Sequence, residues 1–242
     1  MFEQAIRTYL QSHHYDRLDL KAVLFDMDGV LFDSMKNHAA AWHEAMKRYG
    51  MHLSPEEAYL HEGRTGADTI NIVSTRQRGK EATEEEIKTI YQTKTEIFNS
   101  LPKAERMPGA YELLQKLKQE GLVPVVVTGS GQKSLLERLN KNYPDIFKPE
   151  LMVTAFDVKH GKPNPEPYLM GLQKAGVKAN EAIVVENAPL GVKAGVAAGI
   201  FTVAVNTGPL PDEVLLQEGA NLLFPSMMDF NINWEAFYQV IQ

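Results

Sequence analysis

Short apolar runs alternate with helical segments through most of this chain, and this pattern constrains the fold more than any other feature. The runs are five or six residues long, and polar residues follow them. Such an alternation predicts an α/β fold with a doubly wound, Rossmann-like parallel sheet. The predicted strands are Lys21–Phe25, Val123–Thr128, Leu151–Ala155, Ala182–Glu186 and Ile200–Val205. The predicted helices among them are Tyr111–Glu120, Glu166–Ala175 and Leu190–Ala198.

The segment between the first strand and Met107 has a different texture. It is densely charged and contains no strand-like run. Asn37–Tyr49 and Thr83–Phe98 are predicted helices, and Ser54-Pro55 is typical of a helix start. We therefore expect an all-helical insert (35–106) in a core domain made of 20–34 and 107–242. Residues 1–19 have apolar side chains at helical spacing and predict an N-terminal helical extension.

Composition excludes several classes of function. A net charge of −6 argues against non-specific nucleic-acid binding, which depends on neutralising phosphates. The absence of cysteine excludes disulfides and thiolate metal sites. No apolar run approaches the roughly 20 residues that span a bilayer, and the first 20 residues lack the apolar centre of a signal peptide. We expect a cytoplasmic protein that is a monomer or weak oligomer, with neither nucleic acid nor a membrane as a partner.

Polar residues follow the predicted strands at their carboxyl ends, where doubly wound sheets bind ligands. These ends should meet at one rim of the sheet. The rim residues are Asp26, Asp28 and Gly29 after the first strand, Thr128, Gly129 and Ser130 after the second, Lys162 in the loop after the third, and Glu186 and Asn187 at the fourth.

Asp26 and Asp28 favour covalent phosphoryl transfer. A carboxylate near its ordinary pKa of about 3.9 is ionised at neutral pH, so Asp26 can attack phosphorus without a base. Two carboxylates this close repel each other, which raises at least one pKa. This suits Asp28 to protonate the leaving oxygen and then to accept a proton from water. The alternative is that both are ordinary turn aspartates before Gly29.

The remaining rim residues fit the same chemistry. A hydroxyl and backbone N–H groups at Thr128-Gly129-Ser130 can cradle an anion, and prolines around Lys162 would hold its ammonium near the phosphate. Oxygen ligands at Glu186-Asn187 suit Mg²⁺. Each motif alone has a structural alternative: a turn at the end of a strand, a solvated lysine, or a helix N-cap at Asn187.

Taken together and in this order, the four motifs resemble those of the haloacid dehalogenase superfamily of phosphotransferases. Within it the chain is similar to the branch named after β-phosphoglucomutase, over about residues 20–240. The resemblance implies that Asp26 is the nucleophile and Asp28 the acid/base. It implies that Thr128 and Lys162 hold the transferring phosphoryl group. It also implies a Mg²⁺ ion bound by Asp26, the Asp28 backbone carbonyl and Asn187, with Glu186 beside them.

Residues in and next to the insert help to decide whether the protein is a mutase or a hydrolase. Ser34, His38, Trp42 and Lys94 match the mutase; the alternative for His38 is a partly buried helix histidine. The arginine that grips the second phosphate in the mutase is replaced by Gly66, with Arg64 displaced by two residues.

Glu62 occupies a position that is basic in the mutase, and Asn187 replaces a carboxylate of the usual metal site. We predict that Glu62 reaches down from the insert to restore that charge; alternatively, it is an exposed acid paired with Arg64. The loop resembles that of inorganic pyrophosphatases of this branch. The favoured function is therefore Mg²⁺-dependent hydrolysis of a small phosphorylated substrate through an aspartyl-phosphate, with inorganic pyrophosphate as the favoured substrate. The alternatives are β-phosphoglucomutase, a sugar-phosphate phosphatase, or a phosphate-binding module that has lost catalysis.

Overall fold

The core of the protein is a parallel sheet of six strands. The computed structural model describes residues 2–131 and 135–242. The strand order is β3-β2-β1-β4-β5-β6, and every neighbouring pair is parallel. The strands are β1 Ala22–Phe25, β2 Val123–Val127, β3 Met152–Val153, β4 Ala182–Glu186, β5 Phe201–Val205 and β6 Leu222–Phe224. The doubly wound α/β fold predicted from the sequence is confirmed.

Helices surround the sheet and fill the insert. The described residues form the helices α1 Phe2–His13, α2 Met35–Arg48, α3 Pro55–Leu60, α4 Gly66–Arg78, α5 Glu84–Ser100, α6 Ala110–Gln119, α7 Leu135–Asn142, α8 Glu166–Ala175, α9 Pro189–Ala197, α10 Asp212–Gln217 and α11 Met227–Ile241. None of the helices in the described part of the chain is long and apolar enough to cross a membrane.

The central strands bring the polar rim together. All residues of β1 and β4 are buried, as expected where helices cover both faces of a sheet. Phe25 of β1 pairs with Val126 on one side and with Val185 on the other. The three central strands therefore end within about two residues of one another, and the polar residues that follow them share one edge.

Residues 35–106 contain α2–α5 and no strand, and every residue of this segment is described. Apolar side chains from its helices and loops form a cluster of their own, which includes Met46, Leu53, Ile70, Val73 and Ile90. Ser54 accepts a hydrogen bond from the backbone N–H of Glu57, so α3 begins at the predicted cap.

Two chain crossings connect the insert to the sheet, and they lie side by side. The backbone N–H of Asp33 donates to the carbonyl of Glu105 at 3.0 Å, and that of Met107 donates to the carbonyl of Leu31 at 2.9 Å. Phe32 lies opposite Arg106 as an antiparallel bridge. The two crossings thus form a short antiparallel ribbon.

The N-terminal helix α1 packs against the β5 side of the sheet. Ile6 and Tyr9 are buried, and the Tyr9 hydroxyl donates to the carbonyl of Gly199 at 2.8 Å. The Phe2 ring packs against Phe237, with their centroids 5.7 Å apart. These contacts anchor the predicted helical extension on the sheet and on α11.

One predicted strand is shorter than expected. The strand predicted over Leu151–Ala155 spans only Met152–Val153 in the structure, because a turn begins at Thr154. Asp157 accepts hydrogen bonds from both the backbone N–H and the hydroxyl of Thr154, at 2.8 and 2.7 Å. Such side-chain bonds compete with strand pairing and fix a turn.

Candidate active site

Lys162 joins two carboxylates at the rim of the sheet. Its Nζ donates to Asp26 Oδ1 and to Glu186 Oε1, each at 2.5 Å, and to the Val127 carbonyl at 3.1 Å. The Lys162 side chain is 1% exposed, and the two carboxylates are 7% and 0% exposed. Residues from three separate strand ends therefore meet in direct contact, as the sequence predicted.

The charges in this triad influence one another strongly. Burial raises the pKa of Asp26 to about 7 and the Glu186 carboxylate adds to the rise, whereas the Lys162 ammonium acts in the opposite direction. Burial favours the neutral amine of Lys162, but Asp26 and Glu186 together raise the pKa of Lys162 above its ordinary value. Lys162 is therefore a permanent cation at neutral pH.

Glu186 lies at the site, but its surroundings favour a different role from the predicted metal ligand. Oε1 accepts from Lys162 and from the Tyr168 hydroxyl at 2.6 Å. Oε2 accepts from the backbone N–H groups of Asn187 and Ala188. A Cβ at Gly191 would lie 1.8 Å from Oε1, so glycine is required there. Each oxygen already accepts two hydrogen bonds, and Glu186 therefore holds Lys162 in place.

We expect the Tyr168→Phe variant to be less stable than the wild type by about 1–3 kcal/mol, because Glu186 would lose one of its buried hydrogen-bond donors. Urea unfolding at pH 7.5 measures this change. Tyr111→Phe, at a partly buried tyrosine that contacts none of these groups, serves as the control. Equal stability of the two variants would contradict the expectation.

Asp28 is held on one oxygen by three groups. Its Oδ1 lies 2.5 Å from Ser34 Oγ, 3.3 Å from His38 Nε2 and 3.9 Å from Arg138 Nη1. Burial opposes ionisation, but His38, Arg138 and Ser34 outweigh it and hold the pKa of Asp28 below its ordinary value. Of the two neighbouring aspartates, Asp26 has the raised pKa, mainly because of burial, whereas the pKa of Asp28 is lowered, so repulsion within the pair does not keep a proton on Asp28.

His38 and Lys94 continue this chain into the insert. Lys94 Nζ lies 2.8 Å from His38 Nδ1 and sits over the rings of Trp42 and Phe98 at 5.3 and 5.1 Å. Burial lowers the pKa of Lys94 to about 8. Burial and the nearby Lys94 also lower the pKa of His38. His38 contacts Asp28 directly and Lys94 contacts His38, and both residues, predicted to contact substrate, line the cavity.

Glu62 reaches from the insert into the rim. Both of its carboxylate oxygens lie 3.1 Å from Asn187 Nδ2. Burial raises the pKa of Glu62 well above its ordinary value, and the carboxylates of Asp26 and Glu186 raise it further. Among the described residues, no ion pair joins Glu62 to Arg64 or to another cation. The exposed, Arg64-paired alternative is wrong.

The insert closes over a small cavity of about 80 Å³. Pockets for drug-sized ligands start at roughly 300 Å³, so this cavity suits a much smaller ligand. A Cβ at Gly129 would lie 3.1 Å from the Gly63 carbonyl, which shows how closely the insert loop rests on the core. The lining residues include Asp26, Asp28, His38, Glu62, Arg64, Tyr91, Lys94, Thr128, Gly129 and Ser130.

Thr128 presents a hydroxyl to this cavity. Its Oγ1 accepts the Ser130 N–H at 3.1 Å, and its own N–H is used in the sheet by Val153. The hydroxyl proton is therefore the group that Thr128 can donate to a ligand. Thr128, Gly129 and Ser130 line the cavity, and the Ser130 N–H, expected to bind an anion, donates to Thr128 instead.

A cation fits beside Asn187. Asn187 Oδ1 is buried and has no hydrogen-bond partner among the described residues, which is costly unless a ligand binds it. Within the same part of the chain, no three His, Asp or Glu side chains form a metal cluster. Mg²⁺ needs no such cluster, because it keeps several waters and takes only one or two protein carboxylates. The carboxylates of Asp26 and Glu62 and the free Asn187 oxygen are suitable donors.

Comparisons with known proteins agree with this geometry. The family model for "Haloacid dehalogenase-like hydrolase" matches residues 23–205. Hexitol phosphatase A of Escherichia coli is 35% identical, over 77% of this chain and 83% of that protein. The phosphorylated carbohydrates phosphatase of Thermotoga maritima is 32% identical, over 83% and 92%.

A solved structure from Bacteroides vulgatus, named "Putative beta-phosphoglucomutase", is 71% identical to this chain. The two superimpose with a TM-score of 0.98 over 100% of this chain and 98% of that one. The sheet order, the aspartate pair and the buried lysine agree with the family match over residues 23–205. This match establishes that the chain belongs to the haloacid dehalogenase-like hydrolases.

Proposed function

We propose that this protein is a Mg²⁺-dependent phosphohydrolase that acts through an aspartyl-phosphate on Asp26, with inorganic pyrophosphate as its favoured substrate. The observation that carries the proposal is the contact of the insert carboxylate Glu62 with Asn187 at 3.1 Å. The proposal is supported by this insert acid beside Asn187, a candidate metal ligand, and by a cavity of only about 80 Å³. A compact, highly charged substrate is favoured by both features.

The insert lacks room for the distal-phosphate grip of a mutase. A Cβ at Gly66 would lie 2.3 Å from the Tyr91 ring, so this position cannot carry a longer side chain in the closed structure. Arg64 lines the cavity instead, and among the described residues its buried Nε has no hydrogen-bond partner. The unpaired Arg64 guanidinium is suited to the second phosphate of pyrophosphate, which lies much closer to the reacting phosphorus than the distal phosphate of a sugar bisphosphate.

The proposed reaction has two steps. Asp26 attacks one phosphorus in line and the bridging P–O bond breaks. The departing phosphate takes a proton from Asp28, which must first acquire it from solvent, because His38, Arg138 and Ser34 hold the pKa of Asp28 below its ordinary value. Water then attacks the aspartyl-phosphate and passes a proton to Asp28, which releases the second phosphate and regenerates the carboxylate. Lys162 and Thr128 stabilise the oxygens of the transferring group.

Mg²⁺ would be held by Asp26, the Asp28 backbone carbonyl, Asn187 and Glu62. When bound, it would neutralise the phosphoryl oxygens and reduce their repulsion of the nucleophile. The charges in the site support this: Asp26 and Glu186 share the ammonium of Lys162. Within residues 2–131 and 135–242, the Glu62 carboxylate has only the neutral amide of Asn187 as a hydrogen-bond partner.

The sequence-based division of the chain extends this proposal. We propose that residues 35–106 act as a cap on the core formed by 20–34 and 107–242, and that 1–19 serve as a packed extension. Cap closure would expel water and bring Glu62 and Arg64 to the substrate. A location in the cytoplasm and a monomeric or weakly oligomeric state remain predictions.

A second candidate is a sugar-phosphate phosphatase, favoured by the names of the two curated relatives. A phosphate-release screen with pyrophosphate, hexose 6-phosphates, hexitol phosphates and β-glucose 1-phosphate separates the candidates. We expect the highest kcat/KM with pyrophosphate. A higher kcat/KM with a hexitol phosphate would select the phosphatase, and formation of glucose 6-phosphate faster than free phosphate would select the mutase.

The Glu62→Gln variant tests the role of the cap carboxylate. We expect at least a tenfold weaker apparent Mg²⁺ affinity, which is about 1.4 kcal/mol, because a charged metal ligand becomes neutral. Titration of Mg²⁺ by thermal shift and by pyrophosphate turnover measures the change. Glu56→Gln, on the exposed face of α3, is the control. Unchanged Mg²⁺ dependence in Glu62→Gln would refute this part of the proposal.

A further inference from the structure

Among the described residues, Arg138 of α7 is the only side chain from outside the insert that makes an ion-pair contact with the proposed acid/base Asp28. Its Nη1 lies 3.9 Å from Asp28 Oδ1. Ser34 and His38, which contact the same oxygen, precede and begin the insert. Arg138 belongs to the core, so its contact does not depend on the position of the insert.

The guanidinium of Arg138 is held in a defined place. Its carbon lies 3.9 Å from the centroid of the Phe32 ring, a cation–π contact at close range. Phe32 is fully buried, and its carbonyl accepts a hydrogen bond from Gly29 N–H at 2.7 Å. Arg138 thus rests on the same loop that carries Asp28.

The hydrogen bonds around Asp28 are unevenly distributed. Oδ1 has all three recorded contacts, while Oδ2 accepts no hydrogen bond from the described residues. Asp28 also lines the cavity. This asymmetry leaves Oδ2 as the oxygen that can exchange a proton with the leaving group and with water.

Arg138 also retains unused donor capacity. Its Nη2 is buried and has no hydrogen-bond partner in the described structure. An orphaned buried donor is costly and is retained where it has a task.

We propose that Arg138 is a positioning residue for Asp28: its fixed charge beside Oδ1 keeps the carboxylate turned so that Oδ2 faces the reacting groups in both proton-transfer steps. The proposal rests on the proposed role of Asp28 in hydrolysis. It adds a residue from the core helix α7 to Ser34, which precedes the insert, and His38 of the insert, which already hold Asp28.

Loss of Arg138 should affect formation and hydrolysis of the aspartyl-phosphate differently when the leaving group needs no proton. With acetyl phosphate, Asp26 attacks phosphorus, the P–O bond breaks, and acetate leaves with the electron pair as a stable carboxylate. The second half still requires Asp28 to take a proton from water. Loss of Arg138 should therefore slow hydrolysis of the aspartyl-phosphate much more than its formation.

The experiment follows the phosphorylated enzyme in a quenched-flow assay with ³²P-labelled acetyl phosphate and Mg²⁺. Arg138→Met retains an apolar stem over Phe32 and removes the charge. We expect phosphoenzyme to accumulate and its hydrolysis to slow about tenfold or more, with formation changed less than about threefold. Arg138→Lys should recover at least part of the hydrolysis rate, since it retains the charge.

Arg106→Met is the matched control, because Arg106 also lies over an aromatic ring, that of Tyr111, and lines the same surface groove as Arg138 without contacting Asp28. An equal slowing of formation and hydrolysis in Arg138→Met would indicate a merely structural role and overturn the proposal. So would an effect no larger than that of Arg106→Met. Wild-type turnover of pyrophosphate, measured in parallel, tests the proposed function separately.

Discussion

Replacing Asp26 by asparagine should abolish phosphate release from every substrate of this protein. The amide is a poor nucleophile, so the aspartyl-phosphate cannot form, and we expect a fall in kcat of at least about 10⁴-fold. Steady-state phosphate release measures the loss of turnover, and ³²P labelling of the protein measures the loss of aspartyl-phosphate formation. The exposed neighbour Asp33 provides the matched control Asp33→Asn.

The same variant should fold normally. Because burial raises the pKa of Asp26 to about 7, the folded wild type binds a proton more tightly than the unfolded chain does. In the absence of Mg²⁺, the Asp26 contribution to stability is present below about pH 4 and is lost as the pH rises through about 7. The introduced amide carries no charge, so Asp26→Asn should be at least as stable as the wild type at pH 8. A large loss of stability there, or phosphate release above a hundredth of the wild-type rate, would contradict the proposed role.

Replacing Lys162 by methionine should have the largest effect on stability. Lys162 pairs with two buried carboxylates, and its removal leaves Asp26 and Glu186 without a cation. Breaking a buried ion pair in this way costs about 3–5 kcal/mol. Loss of a charge that stabilises the transferring phosphoryl group should also lower kcat by about 10²–10³-fold.

The stability loss in Lys162→Met should depend on pH with a defined sign. Without the ammonium, the pKa of Asp26 rises still further, so the carboxyl is neutral over a wider range. The destabilisation should therefore be greatest near pH 8 and should shrink as the pH falls toward 5. Urea unfolding at both values measures it, with the exposed Lys159→Met as the control. A loss that is constant with pH would show that packing, not charge, dominates.

The sequence predicted the elements that consist of dense apolar runs. β4 and α8 have the predicted bounds, because Ala182–Glu186 is continuously apolar before its last residue and α8 ends at a glycine in the left-handed region. Several elements escaped this reasoning: α4, α7, α10, β6 and α11. β6 has only three residues, and its apolar character becomes decisive only once β5 lies beside it.

Within the site, the residues that follow strands could be predicted, because parallel strands end at a common edge. Their supporting partners could not. Tyr168, Tyr91 and Arg138 lie on helices distant in sequence from the residues that they contact, and nothing in their own neighbourhoods distinguishes them. The low pKa of Asp28 depends on such partners. Repulsion between the two neighbouring carboxylates was therefore not sufficient to predict the pKa of Asp28.

The ribbon that joins the insert to the core limits how the two parts can move. Asp33 and Met107 tie the outgoing and returning crossings together through backbone hydrogen bonds, with Phe32 opposite Arg106. Two crossings fastened in this way cannot twist independently, and they bend most easily about one line across the pair. If the insert moves, we expect it to rotate about this single hinge axis, so that Glu62 and Arg64 reach the catalytic rim of the sheet in the same movement.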